Sequence, residues 1–204
     1  MKKLLLAALI TALTITPLAA VAGAENMETS APQVEEAYVP GTAPAEVSVS
    51  EAMSPAVHAV LLAMLNRDVQ EFDPADSELA WEALYNMLSM YGQLDDRSVY
   101  EDDRLLVPSE SVYDYAAAIL PDLAVLGELP EFLADRMTYD PSSDCCLVVC
   151  GSDSLAELQT ELQDGSLTGS LVNVVDNSTI AEFEATLAPA DNMFGRVLTS
   201  VSLI

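Results

Sequence analysis

The chain has 204 residues and carries 33 Asp and Glu against 7 Lys and Arg, a net charge of −26 at neutral pH. Such an excess repels phosphate backbones and anionic bilayers alike, because affinity for either comes from Lys and Arg, so nucleic acid is excluded as a partner. About half of the residues are apolar, enough for a core, so the charge does not imply disorder.

Lys2 and Lys3, an apolar stretch from Leu4 to about Leu18, and the small-residue run Ala19 to Ala24 before Glu25 predict a secretory signal peptide over residues 1–24. Ala22-x-Ala24 is the expected cleavage signal. Pro17 and Gly23 interrupt the stretch and argue against a retained membrane span. Cleavage removes both lysines and leaves Arg67, Arg97, Arg104, Arg136 and Arg196 against all 33 acids, a charge of −28. Lysine Schiff-base chemistry is then excluded. The expected localisation is secreted or extracellular, without stable membrane insertion after cleavage, and the expected partner is an unidentified extracellular or cell-surface one. Residues 25–50, with Pro32, Pro40 and Pro44, the acids Glu25, Glu28, Glu35, Glu36 and Glu46, and no base, read as an acidic Pro/Ala-rich linker. Residues 51–204 read as a single α+β domain.

Ser54-Pro55 opens a helix, with serine as cap and proline in the first turn. Val57, Leu61, Met64 and Leu65 share one face as far as about Arg67. Asp73-Pro74 breaks the chain, and Asp76 or Ser77 caps a second helix carrying Trp81, Leu84, Leu88 and Tyr91. Gly92 ends it. Gln93 to Pro108 is a polar connection. A third helix starts near Ser109 or Ser111 and stops at Pro121, and Pro130 starts one short turn.

After Arg136 the apolar period changes to two. Met137 to Tyr139 and Cys145 to Cys150 predict two strands joined by the Asp140-Pro141-Ser142-Ser143-Asp144 turn. Alternation from Ala156 to Gln163 predicts a strand with one wet face, and Asp164-Gly165 a hairpin into Leu167–Val175. Phe183, Ala185 and Leu187 line the next strand. Val197, Thr199, Val201 and Leu203 line the last. Helices first and antiparallel strands afterwards give an α+β fold, with the N-terminal helices packed on one face of a curved antiparallel β-sheet.

This order resembles the cystatin-like and nuclear-transport-factor-like folds. Phe72-Asp73-Pro74, Trp81, Tyr139-Asp140 and the strand at Phe194-Gly195 further resemble uncharacterised exported proteins of clostridial gut bacteria, over roughly residues 52–204. The resemblance implies a fold and no activity. The Gln-x-Val-x-Gly loop of cystatin protease inhibitors is missing, so inhibition is not carried over.

Cys145, Cys146 and Cys150 fall in one predicted strand. Cys146 and Cys150 would stand about 13 Å apart there, at ~3.3 Å per residue, beyond the reach of a disulfide at about 7 Å. Their expected role is as small buried apolar side chains. His58 is the single histidine, and no Gly-x-Ser-x-Gly surrounds a serine, so His58 reads as a boundary or surface residue. Asp95, Asp96, Glu101, Asp102 and Asp103 could gather around Ca²⁺, but their spacing is not that of an EF-hand loop. Trp81, Tyr85, Tyr91, Tyr113 and Tyr115 read as core or its margin, with Trp81 as the main contact between helix and sheet.

No catalytic or cofactor-binding residue is assigned, and metal ligands stay undetermined. The expected function is an exported non-catalytic binding or spacer module. The alternatives are a carboxylate-dependent extracellular hydrolase or a calcium-stabilised structural domain.

Overall fold

The structure, a computed structural model, describes residues 47–204 apart from 124, 127, 128, 152–154 and 164. The predicted leader, most of the linker and Asp164 of the hairpin dipeptide lie outside the described residues. The described chain is α+β, with three α-helices and two antiparallel sheets.

Helix α1 spans Val49–Arg67, and its cap is Ser48, not Ser54. Ser48-Val49-Ser50-Glu51 forms a capping box: the Ser48 hydroxyl accepts from the Glu51 amide, and the Glu51 carboxylate accepts from the Ser48 amide. The helix therefore starts inside the predicted linker and Pro55 lies within it. The Ser54 hydroxyl donates to the Ser50 carbonyl, one turn back. Asp68, left-handed at φ 54°, closes the helix as Val69 N–H reaches back to Met64 O. Every residue from Ala56 to Met64 is buried. The helix thus has no wet face, as expected of one enclosed by other elements.

Strand β1, Glu71–Phe72, leads to helix α2, Ser77–Tyr91, capped by Asp76 as expected. Residues 79–89 are all buried, Trp81 among them. Gly92 does not adopt the left-handed capping conformation. Its φ of −58° carries the chain into a 3-10 turn at Gly92–Leu94. Its lack of a side chain matters for space instead, since a Cβ there would stand 3.1 Å from Leu105 Cδ2.

The predicted polar connection is a hairpin. Strand β2, Val99–Glu101, pairs with β3, Arg104–Pro108, across a two-residue turn in which Asp102 has φ 52°. Helix α3, Ser109–Ala116, starts where expected but ends well before Pro121, and a short turn at Glu131–Leu133 follows Pro130 as expected. Strands β4, Met137–Asp140, and β5, Cys145–Val149, complete a sheet of order β2-β3-β5-β4. Strands β6, Ala156–Gln163, β7, Ser166–Asn173, β8, Thr179–Pro189, and β9, Arg196–Leu203, form the second sheet, of order β1-β9-β8-β7-β6. Strand β7 ends before Val174 and Val175, which are exposed.

The last strand buries a different set from the one its alternation suggests. Thr186 faces Ser200 while Leu187 faces Leu198, so Thr199 is an extra residue in β9. The bulge turns Leu198 inward and leaves Thr199 exposed, its hydroxyl donating to Thr186 O. Helix α1 packs on the five-stranded sheet and α2 lies between α1 and the four-stranded one. One continuous core includes Phe72, Phe183 and Val201 on one side and Leu105, Val107 and Val148 on the other. The two helices therefore serve two sheets, where the sequence suggested one.

Candidate functional site

The groove that emerges is assembled by α1, α2 and the free edges of both sheets. At its floor, His58 of α1 is 6 % exposed, a correction to its expected place at the surface. Its Nδ1 shares a hydrogen bond of 2.6 Å with the hydroxyl of Tyr91, the last residue of α2. The two rings meet edge to face with centroids 6.0 Å apart. The Tyr91 carbonyl in turn accepts from the Tyr115 hydroxyl at 3.0 Å, which ties the end of α2 to α3. Burial pushes the Tyr91 phenol above its ordinary pKa, so it stays protonated.

Cys150 is brought in by α2. Tyr85 and Ser89, one helical turn apart, reach the chain just after β5: the Tyr85 hydroxyl donates to Val149 O at 2.9 Å and the Gly151 amide donates to Ser89 Oγ at 2.5 Å. These bonds fix the backbone on both sides of Cys150. Its sulfur accepts from the Tyr100 hydroxyl at 3.2 Å, and Gln93 Oε1 lies 3.2 Å from the same hydroxyl. The contact with Cys150 raises the Tyr100 pKa. Tyr100, on β2, is 53 % exposed.

These side chains surround a pocket of about 290 Å³, and a second of about 350 Å³ adjoins it through the shared walls His58, Tyr91 and Ala156. The second continues along Glu157 and Leu158 of β6 to Val174. Together they form a groove from the edge of one sheet to the edge of the other. Its described lining is two phenols, the serines Ser54 and Ser89, an imidazole, a thiol, a thioether, an amide and aliphatic groups, with Glu157 as the single carboxylate.

The three cysteines separate in space. All are unbridged, whereas the spacing argued only against a Cys146–Cys150 pair. Cys146 is buried on β5, and burial pushes its thiol up to about 12. Cys145 and Cys150 are half-buried, so the expectation of three buried apolar side chains holds fully for Cys146 alone. The acidic residues considered for calcium are scattered or occupied. Asp95 receives Arg97 in a two-pronged ion pair at 2.9 and 2.7 Å, and Arg97 also reaches Asp114 at 2.8 Å. Arg97 holds the Asp95 carboxyl well below the usual carboxylate range. Asp96, Glu101, Asp102 and Asp103 are exposed, the last three around the β2–β3 turn. Among the described residues no three His, Cys, Asp or Glu side chains gather as a metal site would require.

Of the aromatics, Trp81, Tyr85 and Tyr115 are buried, Tyr113 is at the margin, and Tyr91 forms a wall of the groove. Tyr100 is not legible as a site residue from sequence, because its strand reads as part of a polar connection. The signal was Val99-Tyr100-Glu101 and Arg104-Leu105-Leu106-Val107 on either side of Asp102-Asp103, two strand-prone runs across a two-residue turn. The landmarks of the resemblance are structural: Phe72 is buried, and Phe194 packs at a tilt on Tyr115 with centroids 6.3 Å apart. No family model, curated protein or solved structure matches the chain.

Proposed function

We propose that the chain is an exported, non-catalytic binding module whose ligand lies in the groove between the two sheet edges. The observation that carries this reading is the lining itself. Pockets that bind are mostly apolar and aromatic with a few polar groups to fix orientation, and this is the make-up of the groove around Tyr91, Tyr100 and His58. Hydrolysis by paired carboxylates needs two acids flanking the scissile bond at ~5 to 9.5 Å, whereas the described lining offers Glu157 alone. Carboxylates with lowered pKa values work elsewhere: Asp95 pairs with Arg97, Glu51 caps α1, and Asp140 and Asp176 accept from the serines of their own turns.

Export rests on the charged, apolar and small-residue order of residues 1–24. Two measurements test the two parts of the proposal. Expression in a bacterial host followed by mass spectrometry of the medium should find a chain starting at Glu25. A fragment screen by NMR on the same protein should shift the His58 and Tyr100 resonances together. Shifts confined to other surfaces would remove the groove as the ligand site, and an intact precursor held in the cytosol would remove export.

A further inference from the structure

The groove is rimmed by two strand edges, and this decides what kind of ligand suits it. Tyr100 lies on β2 and Ala156, Glu157 and Leu158 on β6, and each of these strands is terminal in its sheet. An edge strand presents backbone donors and acceptors that a further strand can pair with. Strand β6 is suited to this. It runs for eight residues in unbroken register with β7, without proline or bulge.

Charge narrows the occupant. The chain's own segment 25–46 contains five glutamates and no base, so Glu157 and Glu161 of β6 repel it. A second copy pairing β6 with β6 about a two-fold axis at Gln159 would set Glu157 against Glu161, and like charges across a ladder are destabilising. A segment bearing Lys or Arg meets neither objection. Its cations on one face would meet Glu157 and Glu161, and its apolar side chains on the other would meet Ala156 and Leu158 at the groove wall.

We infer that the groove takes an extended lysine- or arginine-bearing segment of another protein, added along β6 with its cationic side chains over Glu157 and Glu161 and its apolar ones toward Ala156 and Leu158. This rests on the groove being a binding site. Arg67, Arg97 and Arg136 do not oppose it, since each is engaged by acids of its own.

The test uses the full chain and a fluorescent peptide as long as β6 that alternates valine and lysine, read by anisotropy. Saturable binding that weakens with salt is expected. The double variant Glu157→Lys, Glu161→Lys should weaken it about tenfold or more, with circular dichroism unchanged. Methylating alternate backbone amides of the peptide keeps its charge and should abolish binding. Equal affinity for the methylated peptide would overturn strand addition, and equal affinity for a valine–threonine peptide would overturn the cationic requirement. Concentration-dependent dimers in sedimentation would give the edge to a second copy and overturn the inference. If phenyltrimethylammonium shifts the Tyr100 resonances but the peptide does not bind, the strand is lost and the groove stands. If neither binds, both are lost.

Discussion

Two regions on opposite sides of α2 use similar chemistry to opposite ends. Around Glu82, charge is closed on itself. The Glu82 carboxylate, 8 % exposed, accepts from Arg67 Nε at 2.7 Å and lies 3.8 Å from Arg136 Nη1, while Arg67 also reaches Glu78 at 3.0 Å. Arg67 lies over the Phe132 ring at 4.8 Å and Arg136 over Tyr85 at 4.7 Å. Every partner there is supplied by the chain. Around Tyr91, rings of the same kind face a groove, and Tyr100 stands half in solvent. The comparison teaches that arginine on aromatic is a structural contact where the chain provides the cation. Where it provides only the rings, as around Tyr91, the proposed function leaves them open to a ligand.

Four measurements break or sharpen that contrast. The largest effect belongs to packing beneath both regions: Trp81→Ala should lower stability by about 3–5 kcal/mol in denaturant unfolding, and an unchanged midpoint would show that α2 is not seated by this ring. Glu82→Gln leaves Arg67 and Arg136 without their shared counter-charge. Both arginines keep some solvent contact, so about 2 kcal/mol is expected, below the range for fully buried pairs. A loss below the scatter of the measurement would make the cluster ornamental.

Titration separates the regions by sign. The Asp95 carboxyl is held down by Arg97, so its stabilisation is complete above the unfolded carboxylate pKa of about 4 and is lost as pH falls through the depressed folded value. Tyr91, raised by burial, and Cys146, pushed up to about 12, behave oppositely. Their stabilisation is complete below the unfolded thiol and phenol values, about 8.5 and 10. It declines as pH rises through and beyond them. Thermal melts across pH should therefore fall at both ends, and in base the fluorescence of the groove tyrosines should change with the melt. The smallest effect is Tyr100→Ala, at about 0.5 kcal/mol or less because the ring is half exposed. A larger loss would mean that Tyr100 holds the hairpin rather than facing a ligand.

Local signals made much of the architecture legible. Asp76 caps α2, Pro130 opens its short turn, and the β4–β5 and β6–β7 connections fall at their turn residues. Each depends on neighbours within a few positions, which is where sequence speaks most directly. The Ser48–Glu51 capping box was equally local and was masked by the more conspicuous Ser54-Pro55. The cysteine spacing argued against a Cys146–Cys150 bridge from sequence distance alone, and the two are unbridged.

The groove was another matter. His58 and Tyr91 are 33 positions apart and Tyr100 and Cys150 are 50 apart, and no period in the chain links them. Their meeting depends on the division of strands between two sheets, on Tyr85 and Ser89 pinning the backbone beside Cys150, and on a hairpin too short to announce itself. The Thr199 bulge likewise reverses a face that alternation had assigned, because register is set by the partner strand and not by the strand itself. Composition and turn chemistry act between near neighbours, so the sequence alone settled the α+β class, the charge and most element ends. Which side chains share a wall is decided by packing between distant segments, and only the folded chain could state it.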